Sequence, residues 1–403
     1  MSNQISQTLV TGTLALLLLY ALPGRLSAQA TGGEGGQRSA SVSSSSDRAI
    51  TSRAPHLGTE RDTAGPHLFA GLGHQGFRLE TGDGRQSLHI QGLFSARASV
   101  HLPDNQVTTY SGSVRLARLA LSGNLAGEQL TYYFQGEFAG TPQLLDMELT
   151  WSPLAEHLRL RFGRMRVPFA RQWITGLGAL AMPDRSAVSD YFRPGRDSGV
   201  TVESEWLDHI ELRAGGYAEE GDRWPRALAR VAYAPLGKFA YSEDVNHAAG
   251  PVRFQIGLGA SYNKGAVTTA GVATNTAVTT GGLDLALRAG PVAAFAEAFI
   301  ERRTPVGAGD ALASGAFAQV GVFAVPAVFE VVGRVDVLFP DVRATGSDGL
   351  RRFELGVGGY LLGGALKLQP RYAYTQIEGA PVMVLNKAQP PGHVVDAQFV
   401  LTI

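Results

Sequence analysis

The stretch Arg159-Leu160-Arg161-Phe162-Gly163-Arg164-Met165-Arg166-Val167-Pro168-Phe169-Ala170-Arg171 decides how this chain reads. It opens as an alternating strand, with His157, Arg159 and Arg161 on one face and Leu158, Leu160 and Phe162 on the other. It then enters a Gly/Pro-punctuated loop that keeps adding arginines, and no acid lies between Arg159 and Arg171. A strand with one apolar and one charged face, feeding a basic loop, is what a water-filled β-barrel needs at a constriction.

The same period of two recurs on both sides of this stretch. Upstream, Gln129, Thr131, Tyr133, Gln135 and Glu137 oppose Leu130, Tyr132, Phe134 and Phe138, and Asp146, Glu148 and Thr150 oppose Met147, Leu149 and Trp151. Downstream, Asp284 and Arg288 oppose Leu283, Leu285 and Leu287, and Lys367, Gln369 and Arg371 oppose Leu366, Leu368 and Tyr372. Soluble sandwiches alternate too. Two details favour a membrane barrel: the polar faces mix full charges with Gly, Ser and Gln, and the segments run about nine to twelve residues, the length of a tilted membrane strand. The expected fold is an all-β transmembrane antiparallel barrel of about 16 strands. The strands fall near 86–100, 112–123, 129–139, 144–152, 157–165, 197–205, 208–217, 226–234, 251–262, 279–289, 292–301, 314–325, 327–338, 350–361, 365–376 and 394–403. The longest gap, from Arg166 to Arg196, is expected to fold into the lumen and narrow it.

Two segments break the pattern. Arg115 and Arg118 sit on opposite parities, and Glu297 shares a face with Phe295 and Phe299. A bulge, a charge near the membrane interface, or a misplaced strand would each account for them. Tyr132, Trp151, Tyr262, Tyr360, Tyr372 and Tyr374 lie near strand ends, where they would serve either as interface girdles or as ordinary β-core packing.

The N-terminus reads as a secretory signal, residues 1–30. A short apolar run, Leu14 to Leu22, is broken by Pro23-Gly24 and followed by Ala28-Gln29-Ala30, an A-x-A cleavage site, although Met1 to Thr13 carries no Lys or Arg. The alternative is a transmembrane anchor, against which the run is too short. Residues 31–74, rich in Gly and Ser, read as a flexible linker, and 75–403 as the barrel.

Composition narrows the function classes. Thirty-five basic and 35 acidic residues give no net charge, which argues against nucleic acid as a partner. There is no cysteine, hence no disulfide framework and no thiolate metal site. Gly71-Leu72-Gly73-His74-Gln75-Gly76 fits G-x-G-x-x-G but precedes an extended segment rather than a helix, so it reads as a glycine-rich loop. Neither a G-x-S-x-G nor an H-E-x-x-H occurs. No catalytic residue, cofactor or metal is expected.

Three blocks resemble the phosphate-selective porin O and P family. Arg115-Leu116-Ala117-Arg118-Leu119-Ala120-Leu121-Ser122-Gly123 is similar to its early R-R-A-R-L-x-L-x-G strand. Arg161 to Phe169 is similar to its G-x-x-K-x-P-F-G block, with Arg166 for the lysine and Ala170 for the last glycine. Asp184-Arg185-Ser186 followed by Arg193-Pro194-Gly195-Arg196 and Gly199-Val200 is similar to its E-R-S and P-G-R-x-x-G-V block, with Asp184 for the glutamate. Order and spacing agree over about a quarter of the chain. The resemblance implies a Gram-negative outer-membrane porin, a homotrimer with an inward-folded loop, passing anions such as phosphate by passive diffusion. Members select phosphate with lysine-rich lumens, whereas this chain has only Lys238, Lys264, Lys367 and Lys387, and it ends on Ile403 rather than an aromatic.

Arginine is charged at every working pH and grips oxyanions bidentately. The candidates for an anion-binding constriction are Arg159, Arg161, Arg164, Arg166, Arg171, Arg185, Arg193 and Arg196. Pairing with the acids that share the polar faces, Glu137, Asp146, Glu148, Glu211, Asp284 and Glu354 among them, would instead make these arginines structural. The leading reading is a porin that prefers anions, with outer-membrane lipid and small anionic solutes as partners. The alternatives are a weakly selective general porin and, from another class, a secreted or periplasmic β-rich binding protein.

Overall fold

The computed structural model describes residues 68–73, 76–103, 108–155, 157–206, 209–218, 226–243, 251–269, 272–307, 309–340, 346–385 and 387–403. The signal segment and most of the linker lie outside these residues.

A hairpin of β1 (Leu68–Gly73) and β2 (Gly76–Thr81) precedes the barrel. The barrel strands then follow as β3 (Ser87–Leu102), β4 (Thr109–Asn124), β5 (Leu130–Glu137), β6 (Gln143–Trp151), β7 (Arg159–Arg166), β8 (Arg196–Trp206), β9 (Ile210–Ala218) and β10 (Arg226–Tyr233). The second half comprises β11 (Arg253–Thr269), β12 (Val272–Ala289), β13 (Val292–Pro305), β14 (Ala311–Val325), β15 (Phe329–Phe339), β16 (Ser347–Leu361) and β17 (Leu366–Gly379). A short hairpin, β18 (Met383–Val384) with β19 (Lys387–Ala388), precedes the last barrel strand, β20 (Gly392–Thr402). Each barrel strand pairs antiparallel with the next, and β20 pairs with β3, so the 16-stranded sheet has no free edge. Residues 68–73, assigned to the linker from composition, are strand: β1 pairs with β2, which pairs with the start of β3. Partner hydrogen bonds override a glycine-rich composition.

The barrel is apolar outside and polar within. Phe94, Leu119, Met147, Leu258, Val335, Leu355 and Phe399 are exposed on the outer face. Glu203, Arg230, Asp284, Arg334 and Glu354 are buried on the inner one. Water cannot drive the outer set inward if lipid covers it, and charges are tolerable inside because each finds a partner there.

Both irregular segments are explained. The register between β3 and β4 shifts at Ser95/Ala96, leaving Arg115 as the extra residue of a bulge, so Arg115 and Arg118 both reach carboxylates inside the barrel. Phe295 and Phe299 share the inner face with Glu297 because they pack against Phe239, Phe169 and Phe192 on segments that enter the lumen. Tyr360 likewise turns inward, its ring tilted against Phe323 and its hydroxyl donating to Glu330 at 2.6 Å, so it belongs to no girdle. Tyr372 and Tyr374 flank His393 of β20, while Trp151 and Trp206 end β6 and β8 and are exposed, as girdle residues would be.

Candidate functional site

The segment from 167 to 195 leaves β7, crosses the lumen and returns to β8, its base closed by the Val167 amide donating to the Gly195 carbonyl at 3.1 Å. It carries two short helices, α1 (Arg171–Ile174) and α2 (Ala187–Phe192), the second capped by Ser186 Oγ, which accepts from the Val188 and Ser189 amides. Apolar contact draws it inward: Val167, Phe169, Val188 and Phe192 are buried with Phe299, Phe317, Leu338 and Leu350 of the wall. Glycines in the wall make room. A Cβ at Gly259 would stand 2.6 Å from the Phe169 carbonyl oxygen, and one at Gly356 would stand 2.5 Å from Met182 Sδ.

Charged anchors fix the loop at its middle. Asp184 receives Arg97 at 2.7 Å, Arg115 at 2.5 Å and Arg371 at 3.3 Å. Burial works to raise its pKa, but the guanidiniums of Arg371, Arg97 and Arg115 hold the carboxyl well below the usual carboxylate range. The Ala187 amide donates to Asp336 at 2.7 Å, the Gln172 amide to Glu297 at 2.5 Å, and Gln369 Nε2 to the Ala181 carbonyl at 2.9 Å. The loop is therefore tied to β13, β15 and β17 across the barrel from where it enters.

The candidate arginines separate into distinct groups. Arg159 and Arg161 face the lumen as their parity requires, but both pair with Glu203, and Arg161 also pairs with Glu148 at 2.5 Å. Arg164 is a correction: in register it stands between Met147 and Ser198, both exposed, and directly opposed residues share a face, so it belongs to the outer row. Arg171 is another: its Nη atoms bond Gln255 and the Ala240 carbonyl, and its Cζ lies 4.5 Å from the Phe239 ring and 4.9 Å from Tyr241, so it is a buried peg.

The remaining members, Arg166, Arg185, Arg193 and Arg196, gather around one ring. Their Cζ atoms lie 5.2, 4.9, 4.4 and 5.9 Å from the centroid of Trp173. Arg166 Nη1 bonds the Trp173, Ile174 and Thr175 carbonyls, and Arg185 bonds those of Gln172 and Thr175, satisfying the open C-terminal end of α1. Arg193 faces Asp190 at 3.4 Å, and Arg196 faces Asp146 at 2.8 Å. Among the described residues, no carboxylate lies within ion-pair distance of Arg166 or Arg185. Burial, opposed by Asp190 but reinforced by Arg193, Arg196 and Arg118, brings Arg185 down to about 10. Burial raises Asp190, against the pull of Arg193 and Arg185.

This group borders the open side of the lumen. On β4 the inward residues Ser111 and Ser113 are exposed, and Gln135 on β5 is half-buried. On β14 and β15 the inward residues Gln319, Glu330 and Asp336 are almost wholly buried under the loop. The inner face of β4 is thus open to water beside Arg115, with Arg193 and Arg196 half-buried.

Sequence reasoning missed Arg97, and it read Asp184, Arg371 and Glu354 without showing that they interlock with Arg97, Arg334 and Asp396 across β3, β15, β16, β17 and β20. It also missed Trp173 and a second inward segment, residues 234–243. That segment meets the first loop at Glu243, whose amide donates to Ala179 O at 2.8 Å and whose carboxylate accepts from Gln172 at 3.1 Å and Gln319 at 2.9 Å. The interruption of alternation after Tyr233 was its one available signal.

The family model for phosphate-selective porin O and P matches residues 96–326. An anion-selective porin from Comamonas acidovorans superposes with a TM-score of 0.62 at 14% identity, over 79% of this chain and 100% of that one. The in-vitro folded outer-membrane protein OmpT of Vibrio cholerae, in its trimer form, gives 0.56 at 11% identity over 79% and 99%. The outer-membrane channel DcaP of Acinetobacter baumannii gives 0.54 at 12% identity over 79% and 97%. At these identities the likeness establishes the shared barrel. No curated protein sequence matches the chain.

Proposed function

The chain belongs to the phosphate-selective porin O and P family, an outer-membrane β-barrel porin, and we propose that it passes small anions by diffusion through the water-accessible side of its lumen. The observation that carries this reading is the cluster at Trp173: four guanidiniums against two paired carboxylates, at the edge of that route. A local excess of fixed positive charge in a narrow, low-dielectric passage raises the concentration of anions and excludes cations. Guanidinium geometry suits phosphate-type oxyanions and carboxylates alike. The Comamonas porin named as anion-selective and the trimeric OmpT support the same solute preference and a homotrimer with lipid around its outer wall. Residues 1–30 act as a cleaved export signal in this reading, and catalysis plays no part.

A weakly selective channel is the second reading, favoured by the wall pairs. Arg159, Arg161, Arg334 and Arg371 are all matched by carboxylates and add no net field. Step conductance in a planar bilayer, with the reversal potential in a salt gradient and phosphate as competitor, separates the two. A reversal potential of anion sign, with phosphate reducing chloride current, supports the first. A value near zero supports the second, and absence of channels defeats both.

A further inference from the structure

Four like charges crowd one indole, and two of them have no carboxylate partner among the described residues. Mutual repulsion would ordinarily scatter such a group onto neighbouring acids, and acids are within reach: Glu137 holds Arg118 at 2.7 Å, and Asp146, Asp184 and Asp190 line the same region. Scattering of that kind would cancel the field. The negative face of an aromatic ring opposes it by attracting several cations at once without neutralising any. Trp173 is 2% exposed, so it does not itself meet solute, and its Nε1–H has no acceptor among the described residues. It is held by packing and by its guanidinium contacts. The same turn of chain presents the carbonyls of Trp173, Ile174 and Thr175 to Arg166 and Arg185. Ring and carbonyls together supply uncharged attraction to guanidiniums that remain charged.

We propose that Trp173 is a positioning residue for selectivity: its ring gathers Arg166, Arg185, Arg193 and Arg196 into a cluster of net positive charge beside the passage, two of the four without a carboxylate. The inference rests on the anion-channel reading, but it concerns a residue that carries no charge. Replacing Trp173 leaves the formal charge of the lumen untouched. A purely electrostatic count therefore gives no change in selectivity, whereas loss of the ring lets the guanidiniums collapse onto carboxylates.

The test is the reversal potential of wild type, Trp173→Phe and Trp173→Leu channels in the same potassium chloride gradient, with heat-modifiable migration as the check on barrel folding. Trp173→Leu should lower the anion-to-cation permeability ratio by roughly threefold or more, and Trp173→Phe, which keeps a ring face, should restore part of it. A series in which all three channels share one ratio overturns the proposal and leaves Trp173 as packing. If the Leu variant does not insert, Trp173→Phe decides alone: a lowered ratio supports the proposal and the wild-type ratio overturns it. A wild-type channel with no anion preference defeats the function proposed above, yet the Trp173 series is still read from differences between channels.

Discussion

Asp184 shows how one carboxylate can both fix a loop and mute a field. It collects Arg97, Arg115 and Arg371 while keeping a fifth of its side chain exposed. Asp184→Asn leaves three guanidiniums without this counter-charge and should cost on the order of 3 kcal/mol of barrel stability, measured by urea unfolding in detergent. The same variant should raise the anion permeability ratio. Because the folded-state pKa of Asp184 is depressed, its stabilisation is fully present above the ordinary carboxylate value and is lost only as pH falls through the lower folded value. Asp190 runs the opposite way. Burial raises its pKa, so it takes up a proton earlier as pH falls, and Arg193 then loses its counter-charge. Anion preference should therefore climb as pH falls from 7 through the Asp190 range, and Asp190→Asn should flatten that rise in reversal potentials recorded across pH. At this scale the sequence was only partly legible. It marked the arginines, and parity sent Arg159 and Arg161 inward as found. Continuing the same alternation through Gly163 puts Arg164 in the outer row, a consequence missed by grouping it with the loop arginines, whereas the burial of Arg171 under aromatics depends on the path of the loop and was not legible.

Strands were the most legible elements. Each barrel strand lies within a few residues of its sequence expectation, apart from extensions such as β11 and β12 running beyond Tyr262 and before Thr279. Those extensions carry Thr, Asn and Ala rather than a clean alternation, so the signal fades where the strand does not. Phe295 and Phe299 misled for an instructive reason: an inner face contacting an inward segment is dry, and obeys the rule for a protein core rather than for a wet lumen. The segment 234–243 depends on such contact. Phe239 is buried against Phe295 beneath Arg171 and Arg288, and Phe239→Ala should cost about 3 kcal/mol by the same urea measurement. Gly259→Val should displace the 167–195 loop, since the new Cβ meets the Phe169 carbonyl oxygen at 2.6 Å. The barrel itself should persist, still heat-modifiable on a gel, with single-channel conductance altered.

For the whole molecule, zero net charge conceals segregation. Acids and arginines cancel along most of the wall, while the arginines around Trp173 outnumber the carboxylates that pair with them. The apolar residues form an outer belt and a second, smaller core where the inward loop meets the far wall. This division of the lumen into a packed side and a wet side was not legible in the sequence, because it depends on the path of the loop and not on any strand. The chain has no cysteine, so single-cysteine variants report position cleanly. The most direct measurement is the rate at which Ser113→Cys, in membranes, reacts with anionic and with cationic water-soluble thiosulfonates, with Leu355→Cys on the outer belt as reference. Ser113→Cys should react with both and faster with the anionic reagent, while Leu355→Cys stays unreactive. Reaction at Leu355→Cys with silence at Ser113→Cys, or a faster rate with the cationic reagent, would contradict a wet, anion-attracting lumen.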